Sequence, residues 1–133
     1  MDNEQLIDLA KKAMEGSYSP YSNFRVGAAL LLQNGQVYTG CNIENASYSA
    51  CICAERLAIF RAIGCGEREF IKIAVVGGKK GEKADLCFPC GVCRQVLSEF
   101  CDSSFIILTK GQNGATAEKT LGELFPFPFA LDN

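Results

Sequence analysis

Two short segments of this sequence hold the residues best suited to chemistry. Pro89-Cys90-Gly91-Val92-Cys93 places two thiols at Cys-x-x-Cys spacing. At a helix start that spacing brings both sulfurs to one end and roughly one side of the first turn, a common half-site for zinc. Cys51-Ile52-Cys53-Ala54-Glu55-Arg56 supplies the second half. If Cys53 opens another helix, two helix N-termini point at one spot. Their partial positive charges lower thiolate pKa and hold an anionic cluster together. Three thiolates on zinc leave a fourth position for water, whereas a closed structural site would recruit Cys51 as well. Glu55 favours the open site: in the first turn after Cys53, a carboxylate can take a proton from water and pass it on, but does little for a sulfur-only structural site. Arg56 can offset the excess negative charge by donating to a thiolate. Redox pairs share the Cys-x-x-Cys spacing, but they follow the first strand of a thioredoxin-like unit, which the element order does not supply.

Composition narrows the chemistry further. The chain has 133 residues, eight Cys, no His, no Trp and a formal net charge of −2. Without His there is no Ser-His-Asp triad, no Cys-His dyad and no two-His metalloprotease helix. Any metal site must use thiolate or carboxylate. An even cysteine count also suits a disulfide framework, but such frameworks serve small secreted chains. The opening Met1-Asp2-Asn3-Glu4-Gln5 has no basic and apolar leader pattern. No apolar run approaches the roughly 20 residues of a membrane span. The expectation is a cytoplasmic protein whose clustered thiols bind metal or pack. Mild acidity disfavours a polyanionic substrate.

These motifs need elements to carry them. Leu6, Leu9, Ala10, Ala13 and Met14 recur at helical spacing and predict a helix over about 3–15. Phe24 to Leu32 reads as a strand, Asn34-Gly35 as a hairpin turn and Gln36 to Cys41 as the returning strand. Residues 42–52 show no clear period. Cys53 to Ile63 predicts a helix that is apolar on most sides, hence buried. Phe70 to Val76 reads as a strand, after which Gly77-Gly78 opens a charged loop. Cys90 to Cys101 predicts a helix with Val92, Cys93, Val96, Leu97, Phe100 and Cys101 in one stripe. Phe105 to Leu108 and about 115–119 read as the last strands, and Thr120 and Glu123 have capping-box spacing. The order α-β-β-α-β-α-β-β predicts one domain over 1–133, an α/β fold with a sheet covered on both faces. The last two strands are joined too tightly for a crossover, so they should be antiparallel.

Taken together, Cys53-Ala54-Glu55-Arg56 and Pro89-Cys90-Gly91-Val92-Cys93-Arg94-Gln95 resemble the zinc deaminase signature in its three-Cys form. Phe24-Arg25-Val26-Gly27-Ala28-Ala29 and Gly40-Cys41-Asn42-Ile43-Glu44-Asn45-Ala46-Ser47-Tyr48 look like the substrate segments of small homotetrameric cytidine deaminases. The resemblance spans nearly the whole chain. It implies a three-layer α-β-α sandwich with a five-stranded mixed sheet and one zinc ion per chain. Cys53, Cys90 and Cys93 would be the ligands and Glu55 the proton shuttle. Asn42 and Glu44 would hold the ribose hydroxyls, Phe24 would pack on the pyrimidine, and backbone around Ala54 would read the base edge. Arg56 and Gln95 would donate to the thiolates. Tyr48 and Phe129 would reach a neighbouring subunit's site in the tetramer. This chain departs from the pattern at Phe88 and Cys87 before Pro89, in a long Lys-rich stretch from Gly77 to Leu86, and at Phe127-Pro128 in the tail.

The expected reaction is hydrolytic deamination of free cytidine and 2′-deoxycytidine to the uridines, with release of ammonia, as in pyrimidine salvage. Deaminases acting on nucleic acid resemble this chain only in the zinc motifs, and their last strands run parallel through a longer connection. The short connection here and the negative charge favour a free nucleoside. The rival readings are a deaminase of another cytosine-containing small molecule and a non-catalytic structural zinc protein.

Overall fold

The computed structural model describes residues 1–82, 86–111 and 113–132. Its elements are α1 (Asn3–Met14), β1 (Phe24–Leu32), β2 (Val37–Cys41), α2 (Ala54–Gly64), β3 (Phe70–Lys79), α3 (Gly91–Phe100), β4 (Ile106–Lys110), β5 (Thr116–Thr120) and α4 (Leu121–Leu124), with one 3-10 turn at Tyr48–Ala50. The sheet order is β2-β1-β3-β4-β5. β1 runs antiparallel to both β2 and β3, β3 and β4 are parallel, and β4 and β5 are antiparallel. The expected five-stranded mixed sheet and its antiparallel last pair are therefore present.

The central strand shows why three layers form. β1 buries every residue from Gly27 to Leu32, as a strand does when both faces of its sheet are covered. Ala29 and Leu31 face Leu6, Ile7 and Ala10 of α1. Ala28, Leu30 and Leu32 face Ala54, Ala58, Ile59 and Ala62 of α2 and Leu97 of α3. Each buried Leu or Ile contributes about 1.5–3 kcal/mol, so both layers are held by their apolar faces. α1 opens on a capping box: Asp2 Oδ1 accepts from the Gln5 N–H at 2.8 Å, and Gln5 Oε1 accepts from the Asp2 N–H at 3.0 Å.

One close approach sets the position of α2. A Cβ on Gly40 of β2 would lie 2.4 Å from the Ala54 carbonyl oxygen and 2.7 Å from the Ala58 nitrogen. Glycine there lets the strand backbone lie directly against the first turn of the helix.

Three local expectations differ. Gly77 and Gly78 do not open a loop; they continue β3, paired with Val26 and Arg25. A Cβ on Gly77 would meet Phe24 Cε1 at 2.8 Å and Cys87 Sγ at 2.9 Å, so the glycine marks a crowded strand rather than a turn. The expected charged loop lies partly outside the described residues. On α3, Cys93 and Leu97 are buried but Val92 is exposed, which narrows the stripe. On α2, Phe60 is exposed, so that helix is covered on fewer sides than its composition suggests.

Candidate active site

The two Cys segments meet as their spacing predicts. Cys53 and Cys90 are the N-cap residues of α2 and α3, each with extended backbone, and neither sulfur caps its own helix. Cys93 lies in the first turn of α3 and is buried. The three Sγ atoms lie within 4.8 Å of one another, with Cys53 and Cys90 at 3.8 Å. Zinc–sulfur bonds of about 2.3 Å in a tetrahedron put neighbouring sulfurs about 3.8 Å apart, so the donor set fits a zinc ion. Arg56 Nη2 donates to Cys53 Sγ at 3.4 Å.

The electrostatics suit an anionic cluster that binds a cation. The Cys53 thiol is pulled down to about 5, first by a hydrogen bond from Cys93 and then by Arg56 and Cys90. Cys93 is pushed up, because Cys53 takes the charge and burial opposes a second one. A dication there would stabilise all three thiolates. Glu55 is 4% exposed. Burial pushes its carboxyl up to about 7, and the negative Cys53 sulfur adds to the rise. A cation at the sulfurs would act in the opposite sense. The result is a carboxyl able to exchange a proton near neutral pH.

Cys51 takes no part in this group. Its sulfur accepts the Asn45 N–H at 3.3 Å, and the sulfurs that converge among the described residues are those of Cys53, Cys90 and Cys93. The geometry therefore favours the open three-sulfur site over the closed four-sulfur one. Cys41, Cys51, Cys53, Cys65, Cys90, Cys93 and Cys101 are thiols, so the disulfide framework is not formed there.

A cleft of about 500 Å³ runs outward from the cluster. Cys53, Cys90, Val26, Ala54, Glu55 and Phe88 line it, together with Tyr21, Ser22, Asn42, Glu44 and Tyr48. The loop without periodicity is fixed by Ile43, which bridges to both Tyr18 and Ile52. Asn42 and Glu44 flank that bridge, and most of their hydrogen-bonding capacity is already used. Asn42 Oδ1 accepts from the Val26 N–H at 2.9 Å and from the Ser17 hydroxyl, and Nδ2 donates to the Phe24 carbonyl at 2.8 Å. Glu44 Oε1 accepts the Tyr21 N–H at 2.9 Å and the Ser22 N–H at 3.2 Å, while Oε2 accepts the Ser22 hydroxyl. The Ser22 hydroxyl, helped by the Ser22 and Tyr21 amides, holds Glu44 below its ordinary pKa. An amide has two N–H donors and a carboxylate about four acceptor sites. One N–H on Asn42 and one acceptor site on Glu44 remain, enough to hold a hydroxyl from both sides.

The Phe24 ring lies against Gly77 beside Cys87, and Val26 is the β1 residue lining the cleft. Tyr48 is 78% exposed on its own chain's cleft. Phe129 is 69% exposed. Gln95 does not point its amide at a thiolate: its Nε2 donates to the Phe129 carbonyl at 2.8 Å and its Oε1 accepts the Phe129 N–H at 3.3 Å. Ser17, Tyr21 and Ser22 were not singled out in sequence. Their only signal was a Ser- and Tyr-rich loop, which indicates a turn but not its partners.

Three converging thiols beside a buried carboxyl, set on an α-β-α scaffold, are groups that a metal-assisted hydrolase needs. Residues 1–109 match the family described as the cytidine and deoxycytidylate deaminase zinc-binding region. A cytidine deaminase from Sporosarcina psychrophila is 46% identical over 133 residues, covering 100% of this chain and 95% of that protein. One from Halalkalibacterium halodurans is 44% identical, covering 100% of this chain and 98% of that protein. The crystal structure of cytidine deaminase from Burkholderia pseudomallei superposes with a TM-score of 0.89 at 44% identity, covering 97% of this chain and 100% of that one. This chain belongs to the cytidine and deoxycytidylate deaminase family.

Proposed function

We propose that the protein deaminates free cytidine and 2′-deoxycytidine hydrolytically, giving uridine or 2′-deoxyuridine and ammonia in pyrimidine salvage. The observation that carries this reading is Glu55, buried beside three converging sulfurs at a cleft that also holds Asn42 and Glu44. The whole chain acts as one domain, with Cys53, Cys90 and Cys93 holding one zinc ion.

A zinc ion held there supplies Lewis acidity, which makes water acidic enough to act as a nucleophile near neutral pH. Glu55 takes the proton that water gives up and delivers it to N3 of the pyrimidine as C4 is attacked. Again a carboxylate, Glu55 takes the second proton from the hydroxyl now on C4 and gives it to the amino group, which leaves as ammonia while the C4 carbonyl forms. Both transfers use one carboxyl that burial raises above the ordinary carboxylate range, which suits a group that must both accept and donate. Arg56 donates to Cys53 and spreads the cluster's negative charge.

At the other end, the remaining N–H of Asn42 and the remaining acceptor site of Glu44 hold a ribose hydroxyl. Backbone around Ala54 reads the base edge, and Phe24 supports the pyrimidine side of the cleft through its packing. Tyr48 and Phe129 contribute across subunits in a homotetramer, consistent with their exposure here. The setting we propose is cytoplasmic. A negative net charge of −2 fits a nucleoside better than a nucleic acid.

The test is direct: incubate the zinc-loaded protein with cytidine, follow loss of the cytosine absorbance, and measure zinc per chain by native mass spectrometry. Stoichiometric ammonia release with one zinc per chain is the expected result. A zinc-loaded protein that releases no ammonia from either nucleoside overturns the proposal.

A further inference from the structure

Directly after Cys93 come two side chains whose hydrogen bonds lead away from the cleft. Arg94 Nε donates to the Pro89 carbonyl at 2.7 Å, and its Nη1 donates to the Leu124 carbonyl at 2.7 Å. Pro89 is buried and immediately precedes Cys90, so its carbonyl is the last backbone acceptor before that sulfur. Leu124 ends α4, where a terminal carbonyl lacks a partner within the helix. A planar guanidinium fixed at two points acts as a rigid spacer. It sets the turn that presents Cys90 at a fixed distance from α4.

The far end of this spacer is itself well anchored. The Thr120 hydroxyl accepts the Glu123 N–H at 3.1 Å, and Glu123 Oε1 accepts the Thr120 N–H at 3.0 Å. The Leu121 N–H donates to the Phe105 carbonyl at 2.8 Å, and the Gly122 N–H donates to the Ser103 carbonyl at 2.9 Å. Leu121 is buried in the same cluster as Phe105 and Leu97. α4 is therefore tied to the sheet and to the segment that follows α3.

Gln95 makes the second attachment, pairing with both backbone groups of Phe129. Pro126 and Pro128 lie between the two anchors. Each has a fixed φ and no N–H, so the intervening chain is stiff. Phe127 is 92% exposed and Phe129 69% exposed. The tail is thus held by its backbone rather than by burial of these rings, and both anchors come from the helix that carries Cys93 and is capped by Cys90.

We infer that Arg94 is a positioning residue for Cys90, bracing the Pro89–Cys90 turn against α4, and that Gln95 extends the brace to the tail. Anchorage of the C-terminal segment and placement of the Cys90 sulfur are then one mechanical unit. This rests on the reading of Cys53, Cys90 and Cys93 as the zinc ligands.

The test measures zinc transfer from the loaded protein to a chromogenic chelator, together with the visible spectrum of the cobalt-substituted protein. Arg94→Met keeps the aliphatic stem and loses both donors. It should release zinc up to about tenfold faster, at or below the effect of losing a direct hydrogen-bond partner of a metal ligand because Arg94 acts one residue removed, and should shift the cobalt bands while far-UV circular dichroism is unchanged. Arg94→Lys, which retains one donor site, should fall between. Gln95→Leu should speed hydrogen exchange in 126–131 and accelerate zinc release to a smaller extent. Parent-like zinc release and cobalt spectrum in Arg94→Met overturn the brace; if that variant does not fold, the same result in Arg94→Lys and Gln95→Leu does so. A Gln95→Leu tail that exchanges faster with no change in zinc release overturns the link to the tail. Cys90→Ala separates the two readings. If it keeps one zinc per chain, the ligand assignment fails and the brace with it; if it loses zinc, a silent Arg94→Met counts against the brace alone.

Discussion

The two ends of the cleft are built on different plans. At the sulfur end, every chemical group sits at the start of a helix packed on the sheet through Ala54, Ala58 and Leu97. The groups are close, with Cys93 and Glu55 buried and Cys53 half-buried, and the three sulfurs converge on one point. At the other end, Asn42 and Glu44 sit on loops sewn together by the Ile43 bridges. Most of their capacity holds those loops in place, and one donor and one acceptor are left over. A metal site needs several strong donors at fixed distances, which helix termini provide. A site that only orients a hydroxyl can be made from what a loop has left after holding itself together.

This contrast breaks most severely at the sulfur end. Cys90→Ala should leave the chain without tightly held zinc, read by metal analysis after gel filtration, with cytidine turnover at background. Glu55→Ala removes a proton carrier but no ligand. Zinc should stay at one per chain while turnover falls about 10³–10⁴-fold, near the upper end of general acid–base contributions. Activity near the parent level in Glu55→Ala would end the proposed mechanism. Cys51→Ala is the matching control: zinc content should not change, because that sulfur is engaged with Asn45.

The loop end should respond in a mixed way. Asn42→Ala strands the Val26 N–H and the Phe24 carbonyl, so it should cost about 1–3 kcal/mol of stability per group left unpaired, read by urea denaturation. Glu44→Gln keeps the size of the side chain and loses its charge. It should raise KM for cytidine about tenfold, as expected when a charged hydrogen bond becomes neutral, with kcat and zinc content little altered. Equal losses in kcat and KM for both variants would mean that the two ends are not separable.

The same division explains what the sequence made legible. Cysteines at fixed offsets from a helix start have few places to go, so the sulfur cluster and the role of Cys53 as a helix cap could be read from spacing. So could the order of elements along the chain and the antiparallel last pair, because apolar runs and a short final connection restrict the topology. Gly77-Gly78 reads as a loop start but continues β3, because glycine marks both turns and close approaches. Only the Phe24 ring and Cys87 sulfur over Gly77 decide between them. The partners of Asn42 and Glu44 were hidden for another reason. Ser17 and Ser22 lie more than 20 positions away in sequence, and no local pattern records such a pairing. Gln95 belongs to the same class: it follows the Cys-x-x-Cys motif, yet its amide turns to Phe129.

The smallest expected effect isolates the loop end by pH. Glu44 lies below its ordinary pKa chiefly because the Ser22 hydroxyl donates to the charged carboxylate. A donor to the charged form stabilises it, so removing that donor must raise the pKa toward the usual carboxylate value. Protonated Glu44 loses an acceptor site for the ribose hydroxyl, so KM should rise as pH falls through the folded pKa. In the parent that rise should begin below the ordinary carboxylate range. In Ser22→Ala it should begin at higher pH, while KM near pH 7 changes little because the carboxylate is ionised in both proteins. The shift should appear in KM and not in zinc content, since Ser22 touches the loop end alone. A Ser22→Ala profile that overlays the parent at acid pH would show that the ribose hydroxyl is not held through the Glu44 charge, and the division of labour between the two ends would fail at its weaker side.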